Sequence, residues 1–235
     1  MDQYSNYPYQ NPAATVQSMV SSAMKKVYTK MTLALIVTAV VAYFCGTSME
    51  YLMFLAQHRA FMWILALGSI GIVFGVSAGI NKLSSSTATA LFYLYAVINA
   101  LWLAPIFAVY TEASIAKTFF ITAGTFGAMS VFGYTTGQDL SKFGNILFMA
   151  LIGLIIASLV NIFAQSSTLE WIISIAGVII FTGLTAWDTQ KIKNMAAVMP
   201  ASQVGRLATL GALSLYLDFI NLFLYLLRFF GSSRD

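Results

Sequence analysis

Apolar runs separated by short polar segments recur along the whole chain. Several of these runs approach the roughly 20 residues that an α-helix needs to cross the hydrocarbon core of a bilayer. Most charged residues fall in the short segments between the runs. The pattern therefore predicts an all-α polytopic membrane protein with seven transmembrane helices, at residues 27–45, 61–80, 89–109, 118–134, 144–164, 171–187 and 207–230.

The segment before the first apolar run has a different composition. Residues 1–24 are polar, with Ser, Gln, Asn and Tyr, and they lack the charged start and apolar stretch of a secretory signal. A segment with so little apolar surface to bury is typical of disordered chain. We therefore predict a disordered tail over residues 1–24 and one seven-helix transmembrane domain over residues 25–235, because the connecting segments are too short for another folded domain.

The composition separates this chain from soluble and nucleic-acid-binding proteins. Hydrophobic residues make up 59% of the 235 residues and charged residues only 9%, whereas soluble domains have about 25% charged residues. No basic stripe alternates with exposed aromatic residues, so we expect no nucleic-acid partner. The lipid bilayer is the first expected partner.

The distribution of basic residues predicts the orientation in the membrane. With a cytoplasmic N-terminus, eight of the 12 Lys and Arg residues fall on the cytoplasmic side and four on the other side. Short cytoplasmic loops carry an excess of Lys and Arg. We therefore predict a cytoplasmic N-terminus and, with seven crossings, an external C-terminus. A re-entrant last segment would instead return the C-terminus to the cytoplasm.

Two of the eight acidic residues lie away from the termini and the predicted loops. Asp188 closes the sixth predicted helix, and Asp218 lies eleven residues into the last one, roughly 16 Å along its axis. A charge at the centre of a bilayer costs about 2.5–3.5 kcal/mol on insertion scales, so such a residue normally faces a cavity or a partner. Asp218 is therefore the strongest candidate for a functional residue.

A polar stripe continues from Asp218 at helical spacing. Asn221, Tyr225 and Arg228 follow it on one face of the last helix, and the other faces are largely aliphatic. Such a stripe either lines a path for water or ions, with Asn221 and Tyr225 as lining or supporting residues, or joins helices by hydrogen bonds. Because a carboxylate is an expensive way to join helices, we favour the lining.

Asp188 and Asp218 stand on consecutive helices and could meet. Two carboxyl groups within hydrogen-bonding distance cannot both stay ionised at low dielectric, so they would share a proton. They could also supply oxygen ligands to Ca²⁺. Lys82, at the cytoplasmic end of the second predicted helix, lies on the same side as Asp188 and could pair with an aspartate. No other cofactor is expected.

Three segments resemble the Bax inhibitor-one family, and most closely its bacterial inner-membrane members. They are SLYLDFINLFLYLLRFFG near the C-terminus, GLTAWDTQKIKNM before it and FGYTTGQDLSKFGN in mid-chain. The resemblance covers residues 25–231. It implies seven helices with the C-terminal helix at the centre of the other six. It also implies a bacterial cytoplasmic (inner) membrane as the location.

The same resemblance implies a function and residue roles. Family members are known as pH-sensitive calcium leak channels gated by two aspartates, which correspond here to Asp188 and Asp218. A basic residue at the end of the second helix can latch that pair, and by position it is Lys82. The better-known bacterial leak has arginine there, and lysine cannot make the same planar, bidentate contact. Trp187 stands where the family often has tyrosine.

Three hypotheses for the function follow. The first is a cation leak, with calcium as the permeant or bound ion, whose gate responds to protonation of the aspartate pair in a direction that the sequence leaves open. The second is a non-conducting regulator that binds other membrane proteins, such as a quality-control protease, with the N-terminal tail as its contact. The third is an intramembrane aspartyl protease, which also needs two aspartates. The Gly-x-Gly-Asp motif of such proteases is missing here, so we predict that the protein is not an enzyme.

Overall fold

The computed structural model of the protein describes residues 12–80 and 82–234, with side chains from residue 15 onward. This part of the chain is almost entirely helical. Its α-helices are α1 Pro12–Gly46, α2 Met49–Gln57, α3 Arg59–Gly79, α4 Ser85–Leu103, α5 Ile106–Val109, α6 Glu112–Thr135, α7 Ser141–Ala164, α8 Ser167–Val198 and α9 Val204–Phe230, with a 3₁₀ turn at Ala201–Gln203 before α9.

Seven helical segments are long and apolar enough to cross a bilayer. They are Thr15–Gly46, Arg59–Gly79, Ser85–Val109, Glu112–Thr135, Ser141–Ala164, Ser167–Val198 and Ala201–Phe230. Each overlaps one of the seven predicted helices. The predicted all-α polytopic class is therefore confirmed.

Helix α9 lies deepest in the protein. It packs against α1, α3, α4, α6 and α8, and 67% of its most apolar window is buried, against 6% for α7. Helix α7 packs chiefly against α8, and its outer surface is apolar, as suits a helix that faces lipid. A complete ring of six helices around α9 stays a prediction.

The predicted disordered tail is wrong for residues 12–24, because α1 begins at Pro12. Val20, Ala23, Met24 and Val27 are buried in the core. Their spacing of three and four residues places them on one helical face, while the polar residues between them lie on the other faces. Residues 1–11 lie outside the described part of the chain.

Helix α8 is longer than predicted. Helix α8 continues to Val198, so Asp188 lies inside a helix and not at its end. Thr189, Gln190, Ile192 and Ala196 are buried on the continuing face, which explains why the helix does not stop where the apolar run ends.

The connection after α1 contains the short helix α2, which the hydrophobic pattern did not predict. The side chain of Ser48 accepts a hydrogen bond from the backbone N–H of Tyr51 and caps its start. The Tyr51 hydroxyl donates to the carbonyl oxygen of Leu101 at 2.9 Å and so ties α2 to α4. Burial raises the pKa of Tyr51 to about 12.

The turn between α6 and α7 is fixed to α8. The side chain of Gln190 accepts from the backbone N–H of Leu140 at 2.8 Å and donates to the carbonyl oxygen of Gln138 at 2.7 Å. Lys193 donates to the carbonyl oxygen of Tyr134 at 2.7 Å. The carboxylate of Asp139 accepts from the backbone N–H of Ser141, and this bonding lowers the pKa of Asp139.

Candidate functional site

Asp218 lies inside the helix bundle. Asp218 is only 4% exposed, and its Oδ2 atom is buried without a hydrogen-bond partner among the described residues. Most buried polar side chains in proteins have such a partner, and a buried group without one needs an explanation. The prediction that Asp218 lies in the membrane interior agrees with this burial.

Asp188 and Asp218 line the same cavity, which we call the aspartate cavity. It has a volume of about 420 Å³ and lies between α7, α8 and α9. The two carboxyl groups are close enough to interact electrostatically. Its lining residues are Phe148, Leu151, Leu154, Ile155, Phe181, Leu184, Trp187, Asp188, Lys191, Ser214, Leu217, Asp218, Asn221 and Tyr225.

The two aspartates occupy neighbouring levels of the bundle. A Cβ atom on Gly177 would meet the ring of Tyr225, and one on Gly211 would meet Ile192. These two pairings show that α8 and α9 run antiparallel. They place Asp188 about one helical turn, or roughly 5 Å along the axis, from the level of Asp218.

Asn221 and Tyr225, predicted to line or support the site, both line the aspartate cavity. The amide nitrogen of Asn221 donates to the carbonyl oxygen of Leu217 at 2.8 Å. This hydrogen bond fixes the side chain of Asn221 against its own helix at the cavity wall. The ring of Tyr225 stacks on Phe181 with ring centroids 5.8 Å apart.

The opposite face of α9 is held by hydrogen bonds. Tyr216 is fully buried, its hydroxyl shares a hydrogen bond of 2.6 Å with that of Thr38, and Asn99 donates to it at 3.0 Å. Two residues along a helix correspond to about 200° of rotation. These contacts to α1 and α4 therefore turn Asp218 towards α7 and α8.

A second set of contacts holds the same side of α9 about two helical turns before Tyr216. The ammonium group of Lys30 donates to the hydroxyls of Thr89 and Thr209, each at 2.7 Å. Thr209 is fully buried on α9. Together with the Tyr216 contacts, this set fixes the rotation of α9 about its axis.

The charged neighbour of Asp188 is Lys191, which sequence reasoning missed. Lys191 lines the aspartate cavity and interacts electrostatically with Asp188. Its ammonium group lies 4.6 Å from the ring centroid of Trp187. The spacing of three residues between Asp188 and Lys191 was the available signal, but it has this meaning only if the helix continues beyond Asp188.

Lys82, the predicted latch, lies away from the aspartate cavity. It is exposed in the turn after α3, where its backbone N–H donates to the carbonyl oxygen of Gly79. Within residues 12–80 and 82–234, no ion pair joins Lys82 to either aspartate. The expected latch contact is therefore not formed in this structure, because the turn that carries Lys82 is held beside the end of α3.

Comparison with known proteins identifies the family. The profile of the family described as "Inhibitor of apoptosis-promoting Bax1" matches residues 20–235. The chain belongs to the Bax inhibitor-1 family. The predicted resemblance is thereby confirmed, and it extends over the whole seven-helix region of this Bax inhibitor-1 family member.

Several bacterial proteins are similar to this family member over nearly their full length. The inner membrane protein YbhL of Escherichia coli K12 is 48% identical over 231 residues, which cover 97% of this chain and 99% of YbhL. A protein of Borreliella burgdorferi is 47% identical over 214 residues, covering 90% of this chain and 92% of its own. One of Rickettsia prowazekii is 46% identical over 213 residues, covering 90% of each chain.

Family membership and the seven apolar helices make this protein an integral membrane protein. In the described part of the chain, no three His, Cys, Asp or Glu residues are grouped as a metal site would require. A cation in the aspartate cavity would therefore take its protein ligands from two carboxylates and neighbouring amide or carbonyl oxygens, with water completing the six to eight that Ca²⁺ prefers.

The cavity wall includes Trp187, at a position where the resemblance to the family implies tyrosine. The ring of Trp187 lies directly against Gly144 of α7, where even a methyl group would overlap it. Trp187 thus fills the space between α7 and α8 beside Asp188, and Gly144 provides the room for the larger ring.

Proposed function

We propose that this Bax inhibitor-1 family protein is a pH-sensitive cation leak, with calcium as the permeant ion, and that Asp188 and Asp218 bind the ion and gate its passage. The observation that carries the proposal is the buried Oδ2 atom of Asp218, which has no hydrogen-bond partner in the described residues. Asp218 shares its cavity with a second carboxylate, that of Asp188.

The cost of burying two carboxyl groups supports this assignment. An unpaired buried charge is expensive, so such groups are normally compensated by a proton, a cation or hydrogen bonds. The Tyr216 contacts turn Asp218 away from the hydrogen-bonding groups of α1 and α4. In the aspartate cavity, where the ammonium group of Lys191 interacts with Asp188, a proton or a hard cation would compensate the carboxyl group of Asp218.

The same pair provides a mechanism for pH sensitivity. Two neighbouring carboxyl groups titrate as a unit, so a change of pH alters how many negative charges they present to an ion. Protonation of Asp188 would also weaken its attraction to Lys191. Both changes bias an open–closed equilibrium, and flux measurements on either side of neutral pH will give the direction of that bias.

We place this leak in the bacterial inner membrane with its N-terminus in the cytoplasm. The similar E. coli protein is named as an inner membrane protein, and the excess of basic residues on one side supports the orientation. We assign the aspartate pair to ion binding and not to catalysis. The two residues before Asp218 are Tyr216 and Leu217, which leave no glycine where a substrate backbone could approach.

The test is calcium flux into proteoliposomes that contain the purified protein, measured from about pH 6 to pH 8 because carboxyl pairs can titrate in this range. We expect flux that depends on pH, and we expect Asp218→Asn and Asp188→Asn each to change that dependence. Asp139→Asn makes the same chemical change in the exposed turn before α7 and is the matched control. Its pH dependence should equal that of the wild type.

Two results would contradict the proposal. The first is absence of flux at every pH from protein that elutes as a single species and unfolds cooperatively. This result would contradict the leak hypothesis and favour the hypothesis that the protein regulates other membrane proteins. Flux with the same pH dependence in all four proteins would keep the leak but remove the aspartate pair from its gate.

A further inference from the structure

A second cavity lies in the same groove as the aspartate cavity, towards the end of α9. We call it the polar vestibule. It has a volume of about 410 Å³ and is lined by Ser158, Asn161, Ile162, Gln165, Glu170, Ile173 and Arg228. Both cavities therefore lie along the groove formed by α7, α8 and α9. Helix α7 packs chiefly on α8 and so leaves this groove between α7 and α9.

The two cavities end at the same level on all three helices. On α7, Ile155 lines the aspartate cavity and Ser158, one turn later, lines the polar vestibule. On α9, Tyr225 lines the aspartate cavity and Arg228 the polar vestibule. On α8, Gly177 lies midway between Phe181 of one cavity and Ile173 of the other. A single layer of side chains therefore separates the cavities.

The ring of Tyr225 occupies that layer. A Cβ atom on Gly177 would lie 2.6 Å from the ring, so the ring rests directly on the backbone of α8. Phe181 stacks on the ring from the side of the aspartate cavity. The guanidinium carbon of Arg228 lies 5.6 Å from the ring centroid on the side of the polar vestibule.

We propose that Tyr225 is a plug that closes the aspartate cavity against the polar vestibule, and that movement of its ring joins them into one path for a hydrated cation. The proposal rests on the leak function proposed above and adds a barrier separate from the aspartate pair. An aromatic ring between two cavities excludes water and ions by its volume. Because Gly177 has no side chain, the Tyr225 ring can pack directly against the backbone of α8.

The groups on the vestibule side suit a cation's approach. Gln165 and Ser158 provide oxygen atoms, and Glu170 provides a carboxylate. The side-chain oxygen of Asn161 already accepts a hydrogen bond from the backbone N–H of Ser166 at 3.1 Å. Arg228 lies 3.9 Å from that carboxylate and also over the Tyr225 ring. Arg228 therefore connects the charge of the polar vestibule to the plug, by an ion pair on one side and a cation–π contact on the other.

Thiol labelling tests the plug without using ion flux. In a Cys45→Ala background, Ser214→Cys reports on the aspartate cavity and Ser158→Cys on the polar vestibule. A membrane-impermeant thiol reagent is added to each face of membrane vesicles, and the face that labels Ser158→Cys is the vestibule face. From that face we expect the thiol of Ser214→Cys to label about tenfold faster in the protein that also carries Tyr225→Ala than in the protein with Tyr225. The reason is that thiol reactivity depends on access.

Two further variants serve as controls. Tyr225→Phe keeps the ring and loses only the hydroxyl, which interacts with Ser158. It should label like the protein with Tyr225, because the proposed plug acts through the volume of the ring. Leu224→Ala removes a similar side chain from the same helix turn but faces the core formed with α1 and α4, and it too should leave labelling unchanged. All variants are compared after their thermal unfolding shows that they are folded.

The outcomes separate the plug from the leak. The plug is wrong if Ser214→Cys labels from the vestibule face as fast with Tyr225 as with Tyr225→Ala. It is also wrong if Ser214→Cys labels from that face in neither of these two proteins. Faster labelling in Tyr225→Ala together with absent calcium flux would support the plug and contradict the leak. Calcium flux together with labelling that is the same with Tyr225 and with Tyr225→Ala would support the leak and contradict the plug.

Discussion

At the scale of the residue, Tyr216 and Asp218 meet opposite surroundings although only one position separates them. The Tyr216 hydroxyl has two partners from α1 and α4, whereas Asp218 Oδ2 has none among the described residues. Both appear in the sequence as polar residues in an apolar helix. Their difference comes from the rotation of about 100° per residue, which sends neighbouring side chains to different helices.

The Tyr216 contacts lead to a stability prediction. Tyr216→Phe removes the bond to Thr38 and leaves the Asn99 amide without this acceptor. We expect a loss of about 1 kcal/mol, within the range for interhelical hydrogen bonds in membranes. Thermal unfolding in detergent measures it. Tyr93→Phe is the control, because the Tyr93 hydroxyl makes no hydrogen bond within the described part of the chain; equal losses in the two variants would contradict the prediction.

At the scale of the element, close helix contacts surround the aspartate cavity. Helix α6 approaches α8 at Gly133, which lies against the backbone of Ala186, two residues before Asp188. Small residues allow such contacts between membrane helices. The sequence displayed 16 glycines, but only the packing distinguishes Gly133, Gly144 and Gly177 from those that face open space.

A pair of variants on α6 tests this distinction. Gly133→Ala would place a methyl group into the backbone of α8 and should destabilise the protein by about 1–3 kcal/mol, the range for overpacking. Gly124→Ala, on the same helix, meets nothing within 4 Å. It should be neutral or slightly stabilising, because alanine favours a helix over glycine. A Gly133→Ala protein as stable as Gly124→Ala would show that the two helices can move apart without loss.

At the scale of the whole molecule, the core includes the N-terminal turns of α1. Val20, Ala23 and Met24 belong to the same buried cluster as Leu215 and Tyr216 of α9. Residues 12–24, which were predicted to be disordered, therefore help to hold helix α9. Its polar composition misled the prediction because one buried stripe is enough to anchor a helix whose other faces are exposed.

The contribution of this segment can be measured. Met24→Ala removes a side chain that is only 4% exposed, and we expect a loss of about 2 kcal/mol or more, as for other large-to-small changes in cores. Gln17→Ala changes an exposed residue on the same helix and should have little effect. If chemical unfolding gives the same stability for both variants, residues 12–24 do not support the core.

The sequence by itself determined the all-α class and the seven helices long and apolar enough to cross a bilayer, and it singled out Asp188 and Asp218 as the candidate site. Lipid makes apolar length and isolated charge unusually informative. Only the tertiary structure decided which residues surround that pair. Lys191 entered the site and Lys82 did not, since α8 continues beyond its apolar run while the turn after α3 stays at the surface. The position of the Tyr225 ring was likewise decided by packing, because it depends on a glycine 48 residues earlier that only the antiparallel pairing of α8 and α9 brings beneath it.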